Sequence, residues 1–253
     1  MQHHIYFLRC TLLALMLSVV LPIHSQVTLP TCNPSATFTY LGATNSEPQI
    51  ADSYSGSAPV KAEFKANPSD LDNGTAVYSA RYEWKIYDNS NPETVLVHRF
   101  DEDIEYTFET SGSFTVELTA TFVQGNDTVF YPEEGATGNI FKVSIPESIL
   151  EMPNAFSPND DGTNDTYKAK DTHQSIVSFK ATIFDRWGRR LYSWNDVNGE
   201  WDGKVNGKVV PDGVYFVNVV AKGADGHVYH IRKDVNVMTR LVQQEGGTTG
   251  GEE

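Results

Sequence analysis

The sequence predicts an all-β protein, two tandem β-sandwiches following a cleaved signal peptide, on three observations. Helix signals are nearly absent after residue 26. Short segments that alternate apolar and polar residues recur along the rest of the chain, the period of a half-buried strand. Between them lie Asn-Gly, Asp-Gly and Pro-rich turns, which supply the backbone conformations that tight hairpins require.

Taken in order, residues 1–25 read as the signal peptide. A basic start (His3, His4, Arg9) precedes an apolar run from Cys10 to Leu21, and Pro22-Ile23-His24-Ser25 closes it. The run is shorter than the ~18 uninterrupted apolar residues of a bilayer-spanning helix and ends on a small residue, as a signal-peptidase site should. No second apolar segment follows, so no transmembrane segment is expected in the mature chain. With Cys10 removed, Cys32 is the sole remaining cysteine. That rules out an intramolecular disulfide, a cysteine zinc cluster and a CxxC redox pair, and leaves a lone thiol or an intermolecular bridge.

Charge narrows the function classes. The chain has 19 Lys+Arg against 33 Asp+Glu, a net charge of −14. Nucleic-acid binding needs a basic footprint to displace phosphate counterions, so no nucleic-acid partner is expected, and docking on anionic lipid is disfavoured for the same reason. The acid is uneven: residues 26–146 hold 6 basic and 17 acidic residues, residues 147–253 hold 12 and 16. A step of this kind marks two modules with different surfaces, and the boundary falls near residue 146.

In the first module (26–146), Val60–Ala66 alternates until Asn67-Pro68-Ser69-Asp70 breaks it. Tyr82, Trp84 and Ile86 share a face, and Tyr106–Phe108 and Phe114–Phe122 alternate on either side of Ser111-Gly112. The segment 146–153 has Pro at each end and reads as an extended linker or domain-entry strand. In the second module (147–240), strands are expected at Ser178–Phe184, Leu191–Trp194, Gly213–Ala221 and Val228–Val237. Asn206-Gly207 and Asp225-Gly226 mark hairpins. Residues 241–253 are rich in Gly, Thr, Gln and Glu and read as a flexible tail.

The second module carries four blocks of a known pattern. These are Met152-Pro153-Asn154-Ala155-Phe156-Ser157-Pro158-Asn159-Asp160-Asp161-Gly162-Thr163-Asn164-Asp165, then Ile183-Phe184-Asp185-Arg186-Trp187-Gly188-Arg189-Arg190-Leu191-Tyr192, then Glu200-Trp201-Asp202-Gly203, then Val210-Pro211-Asp212-Gly213-Val214-Tyr215-Phe216. In order and spacing they resemble the gliding-motility-associated C-terminal domain, the type B sorting domain of the type IX secretion system, with Asp185 where Asn is more usual. The resemblance implies export across the outer membrane to the cell surface or medium. It implies a translocon or outer-membrane partner protein, and it makes Pro153, Asn154, Phe156, Pro158, Asn159, Asp161, Gly162, Asn164, Asp165, Arg186, Trp187, Gly188, Trp201, Asp202, Gly203, Pro211, Gly213 and Tyr215 the motif residues. The first module more weakly resembles the PKD family of Ig-like domains, through Tyr82-Glu-Trp84-Lys-Ile86 and the run from Tyr106 to Ala120. That makes the expected sandwiches Ig-like.

Candidate chemistry is sparse. Asn159, Asp161 and Asp165 could converge on a calcium ion, with Gly162 allowing the bend. The loop fails as an EF-hand, because Ser157 occupies the first ligand position and Lys168 the twelfth. Asx-turns that cap backbone N–H groups are the competing and favoured reading. Trp187, Trp194, Trp201, Tyr192 and Tyr215 could form a sugar-stacking surface, but are expected to be core, where aromatics fit pleated faces. Arg186, Arg189 and Arg190 make the densest positive spot and could meet an acidic partner. The run Asp101-Glu102-Asp103, with Glu105, reads as solvated surface. No G-x-S-x-G, H-E-x-x-H or P-loop pattern occurs, so no enzymatic activity and no cofactor are expected. The reading is a small secreted adhesin or structural protein. The alternatives are an accessory of the gliding or secretion machinery, and a glycan-binding module.

Overall fold

The computed structural model describes residues 28–43 and 45–239; the signal peptide expected at 1–25 and the tail expected at 241–253 lie outside them. Every regular element in the described residues is a β-strand, as the alternating pattern predicts.

Two sheets form the first module. The long strand Gly112–Gln124 buries Phe114, Val116, Leu118, Ala120 and Phe122 on one face, the result of a strict period-2 pattern. One of its edges pairs with Ser79–Asp88 from Phe114↔Asp88 to Val123↔Ser79. The other edge is shared, Ile140–Ile145 pairing with its first half and Asp127–Tyr131 with its second. Ser53–Ser55 and Val95–Arg99 complete the six-stranded sheet. The opposing sheet runs Gln49–Ile50, Ser35–Tyr40, Val60–Lys65, Asp103–Phe108. Between them Phe64 packs 5.8 Å from Trp84 and 5.4 Å from Phe141, centroid to centroid. The buried Trp84 indole donates to the Glu102 carbonyl at 3.1 Å, so its polar edge is satisfied. The acidic run is thus exposed in its side chains while one of its carbonyls closes the core. The break at residues 67–70 carries a short pairing of Pro68–Ser69 with Thr31–Cys32, and Cys32 is buried against the core.

A five-stranded sheet makes up most of the second module, in the order Ala155–Phe156, Val228–Val237, Gly213–Gly223, Ile176–Phe184, Arg190–Trp194. Two ribbons, Tyr167–Lys168 with Glu200–Trp201 and Lys204–Val205 with Lys208–Val209, complete it. Its core collects Phe156, Tyr167, Ile183, Trp201, Val217, Val219 and Val235.

Between the modules, Ile145 belongs to the first core and Leu150 and Met152 to the second. Ser148, in the connecting segment, donates through Oγ to Asp225 Oδ1 at 2.8 Å, and its carbonyl accepts from Tyr229 Oη at 3.0 Å. Burial raises the Asp225 carboxyl, but hydrogen bonds from His227 N–H and from Ser148 together outweigh it and hold the group below its usual range. A Cβ on Gly223 would lie 2.0 Å from Ser148 Oγ, so this approach requires glycine. Ala224, beside the Asp225-Gly226 turn, packs into the first core, and its carbonyl accepts from Ser111 N–H at 3.0 Å. The last hairpin of the second module therefore also serves as a contact to the first.

Candidate functional site

The four sequence blocks divide into a buried support and an exposed cleft. In the support, Phe156 lies 5.7 Å from Tyr167 and 5.4 Å from Trp201 by ring centroids. Trp201 is fully buried and donates to the Lys204 carbonyl at 3.1 Å. Tyr167 donates to the Pro153 carbonyl at 3.1 Å, and the Asn154 carbonyl accepts from Asn236 N–H at 2.9 Å. Asp202 Oδ1 accepts from Lys204 N–H at 2.9 Å, an Asx-turn at the Asp202-Gly203 turn. Gly203 sits at φ +73°, where a Cβ would meet Pro158 at 2.9 Å and the Phe156 ring at 3.3 Å. Pro158 and Gly203, 45 residues apart in sequence, are thus one close approach in the fold.

The loop 159–165 satisfies itself. Asp165 accepts from Gly162 N–H at 2.7 Å and from Asn159 N–H at 3.3 Å. Asp161 accepts from Thr163 N–H at 2.8 Å and from Asn159 Nδ2 at 2.8 Å, while Asn164 and Asp160 take left-handed backbone conformations. Asn159, Asp161 and Asp165 are therefore brought together, but the Asp161 and Asp165 carboxylates face the loop's own N–H groups. Among the described residues no group of three or more His, Cys, Asp or Glu is placed to hold a metal ion.

The cleft is built on the hairpin joining Ile176–Phe184 to Arg190–Trp194, whose register shifts at Ile183/Phe184. Asp185 closes the turn. One carboxylate oxygen accepts from Trp187 N–H at 3.0 Å and Arg189 N–H at 2.9 Å, and the other from Arg189 Nε at 3.0 Å. Burial raises the Asp185 carboxyl, but these donors together outweigh it and hold the group below its ordinary range. An acid in place of the more usual Asn thus adds an Arg189 ion pair to the turn. Gly188 follows at φ +79° with open space around it.

So anchored, the turn pushes Trp187 outward, 79% exposed, with the Arg186 guanidinium carbon 5.3 Å from its ring centroid, within cation–π range. This corrects the expectation that the aromatics are all core. Trp194, Trp201 and Tyr215 are buried, Tyr192 is partly exposed, and Trp187 is in solvent. The sharp turn imposed by Asp185 and Gly188, not hydrophobicity, decides where Trp187 points.

Facing it are the Lys204–Val209 hairpin, turned by Asn206 (φ 51°) and Gly207 (φ 75°), and the segment Val210–Tyr215. Tyr215 donates to the Pro211 carbonyl at 2.9 Å; burial raises its hydroxyl pKa, the field of Arg186 opposing and those of Asp185 and Asp212 adding. Together these walls enclose a cleft of about 350 Å3 with an apolar floor that includes Leu191, Val205 and Val210, and with Arg186, Arg189 and Lys208 on its rim. Arg190, expected to belong to the positive spot, does not line it. Lys208, which does, lies between the third and fourth blocks and was missed; only the Asn206-Gly207 hairpin flanking it could have pointed there.

Fold and cleft define a small all-β module carried behind the first sandwich. Residues 150–230 match the CHU_C family, the Type IX secretion signal domain. Residues 150–230 thus carry a type IX secretion signal domain, which indicates export to the cell surface, outer membrane or extracellular space. No curated protein matches the sequence.

Among solved structures, dimeric latent PorU from Porphyromonas gingivalis is 15% identical, with 85% of this chain and 21% of that chain covered and a TM-score of 0.24. The chain thus spans about a fifth of that protein's length. A tetra-tandem repeat from the extending region of a large adhesion protein is 14% identical over 85% of this chain and 69% of that one, TM-score 0.26. Fibronectin(III)-like modules of Clostridium thermocellum CbhA are 13% identical over 79% and 94%, TM-score 0.21. At these scores the likenesses carry no argument about function. No helix among the described residues is long and apolar enough to cross a membrane.

Proposed function

We propose that this chain is a non-enzymatic surface protein. Its second module addresses it through the type IX translocon, and its first, a PKD-like sandwich, is the displayed part, a small adhesin or structural binding unit. The observation that carries the reading is the secretion signal domain at 150–230 behind a sandwich of similar size that has its own core. The Arg186–Trp187 cleft is the surface this module offers its outer-membrane partner: a projecting aromatic beside cations above an apolar floor combines the residue types that dominate protein–protein hot spots. Fractionation of cells with and without the translocon tests the reading, comparing the full chain, a chain ending at residue 146 and Trp187→Ala. Surface delivery is expected for the full chain only when the translocon is present, and is expected to fall for Trp187→Ala. Equal delivery of the 1–146 chain would end the sorting assignment.

A glycan-binding reading draws on the same exposed indole, since a free Trp face can stack on a sugar ring. Retention of the purified chain on polysaccharide resin, lost in Trp187→Ala, would support it.

A further inference from the structure

The cleft is cationic in a chain of net charge −14. Arg189 is engaged by Asp185 through Nε, and the ion pairs among the described residues leave Arg186 and Lys208 without a carboxylate partner. Trp187 is exposed beside them. The strand Val228–Val237 ends with Val237 opposite Gly213, so the chain leaves the sheet at the cleft's own rim. There Thr239 donates through N–H at 3.0 Å and Oγ1 at 2.7 Å to Asp212 Oδ1, and Asp212 is the sequence neighbour of the cleft-lining Pro211.

We propose that the cleft is a docking site for the chain's own acidic segment, residues 245–253. Glu245, Glu252 and Glu253 supply the charge, and residues 241–253 contain no Lys or Arg. Glu245 is six residues beyond Thr239, within about 20 Å of extended chain. Gly246-Gly247 and Gly250-Gly251 let the backbone turn back toward the cations. Individually, ion pairs at an exposed rim are weak. Tethering at Thr239 offsets this, because a short linker holds the acidic segment at an effective concentration on the order of millimolar. The contact does not depend on what else the cleft binds, and it would make any acidic partner compete with the chain itself.

The test uses the full mature chain and its triple variant Glu245→Gln, Glu252→Gln, Glu253→Gln, which alters no residue of either core. The Trp187 indole N–H resonance, assigned with Trp187→Phe, is compared in the two chains at low and at high salt. It is expected to differ at low salt and to converge at high salt, where ion pairs are screened, while the indoles of the buried Trp84 and Trp201 coincide throughout. Coincident Trp187 resonances at low salt would overturn the docking. Hexaglutamate is then titrated into both chains. Binding to the Gln variant is expected to be tighter by roughly threefold or more, as for competition with a tethered millimolar ligand. Equal affinity for the two chains would show the cleft open and overturn it as well.

Discussion

Gly203 and Gly207 have nearly the same backbone conformation, φ +73° and +75°, in very different surroundings. Substituting alanine at each separates backbone strain from packing. At Gly207 a Cβ meets nothing within 4 Å, so only the left-handed conformation is penalised, about 1–2 kcal/mol. At Gly203 the same penalty applies, and the new carbon lies 2.9 Å from both Pro158 Cβ and Cγ and 3.3 Å from the Phe156 ring. Pro158 is a rigid ring, and Phe156 is wedged between Tyr167 and Trp201, so neither can swing away. Overpacking of this kind adds about 1–3 kcal/mol, for a total of roughly 2–5 kcal/mol. Urea unfolding of the chain, followed by tryptophan fluorescence, measures the difference. Three of the four tryptophans, Trp187, Trp194 and Trp201, lie in this module. Gly203→Ala is expected to lower the midpoint of that module's transition by about 1 M more than Gly207→Ala, at a slope of about 2 kcal/mol per molar. Equal midpoints for the two variants would refute the close approach of Gly203 to Pro158 and the assignment of a packing role to that pair.

Further outcomes follow from the same geometry. Trp201→Ala, which empties a fully buried site and removes the donor to Lys204, is expected to cost about 3–5 kcal/mol. Trp187→Ala should stay within about 0.5 kcal/mol of the parent; calorimetry distinguishes them, and a large loss for Trp187→Ala would contradict its exposure. Burial, aided by the nearby Glu102, pushes the Cys32 thiol up to about 12, so iodoacetamide is expected to label the denatured chain quickly and the folded chain hardly at all. Rapid labelling at neutral pH without denaturant would overturn that placement. The Asp185 carboxyl titrates below its ordinary value, so the stability it contributes is complete above the unfolded pKa of about 4 and is lost as pH falls through the lower folded value. The stability gap between the parent and Asp185→Asn should therefore be flat above about pH 5 and shrink below pH 4; a gap that persists at pH 2.5 would assign the effect to shape and not to charge.

The all-β class was legible because strand periodicity is a local signal. Tyr82, Trp84 and Ile86 share a buried face, as their spacing demands. The expected strand Val228–Val237 is found with the same bounds, and Leu191–Trp194 is found one residue longer. Strands with weaker patterns, such as Ser35–Tyr40 and Val95–Arg99, went unread. Val95–Arg99 lies at a sheet edge with both faces largely exposed, so alternation has little to report there. The Asx-turn chemistry of the 159–165 loop was also legible, since those side chains bond to backbone two or three residues away.

By itself, then, the sequence determined the elements of this protein, its turns, its acidity and the blocks that resemble a sorting signal, because each is carried by neighbours in the chain. Only the tertiary structure decided which side of the surface those blocks serve. It placed Trp201 in the core and Trp187 in solvent, although both precede a turn glycine by one or two residues. It seated Gly203 against Pro158 and brought Lys208 across to Arg186 and Arg189. The last two outcomes depend on contacts between residues about 20 to 45 positions apart, which no local pattern encodes. Trp187, by contrast, is turned outward by the hydrogen bonds of the Asp185–Gly188 turn, whose effect shows only in three dimensions.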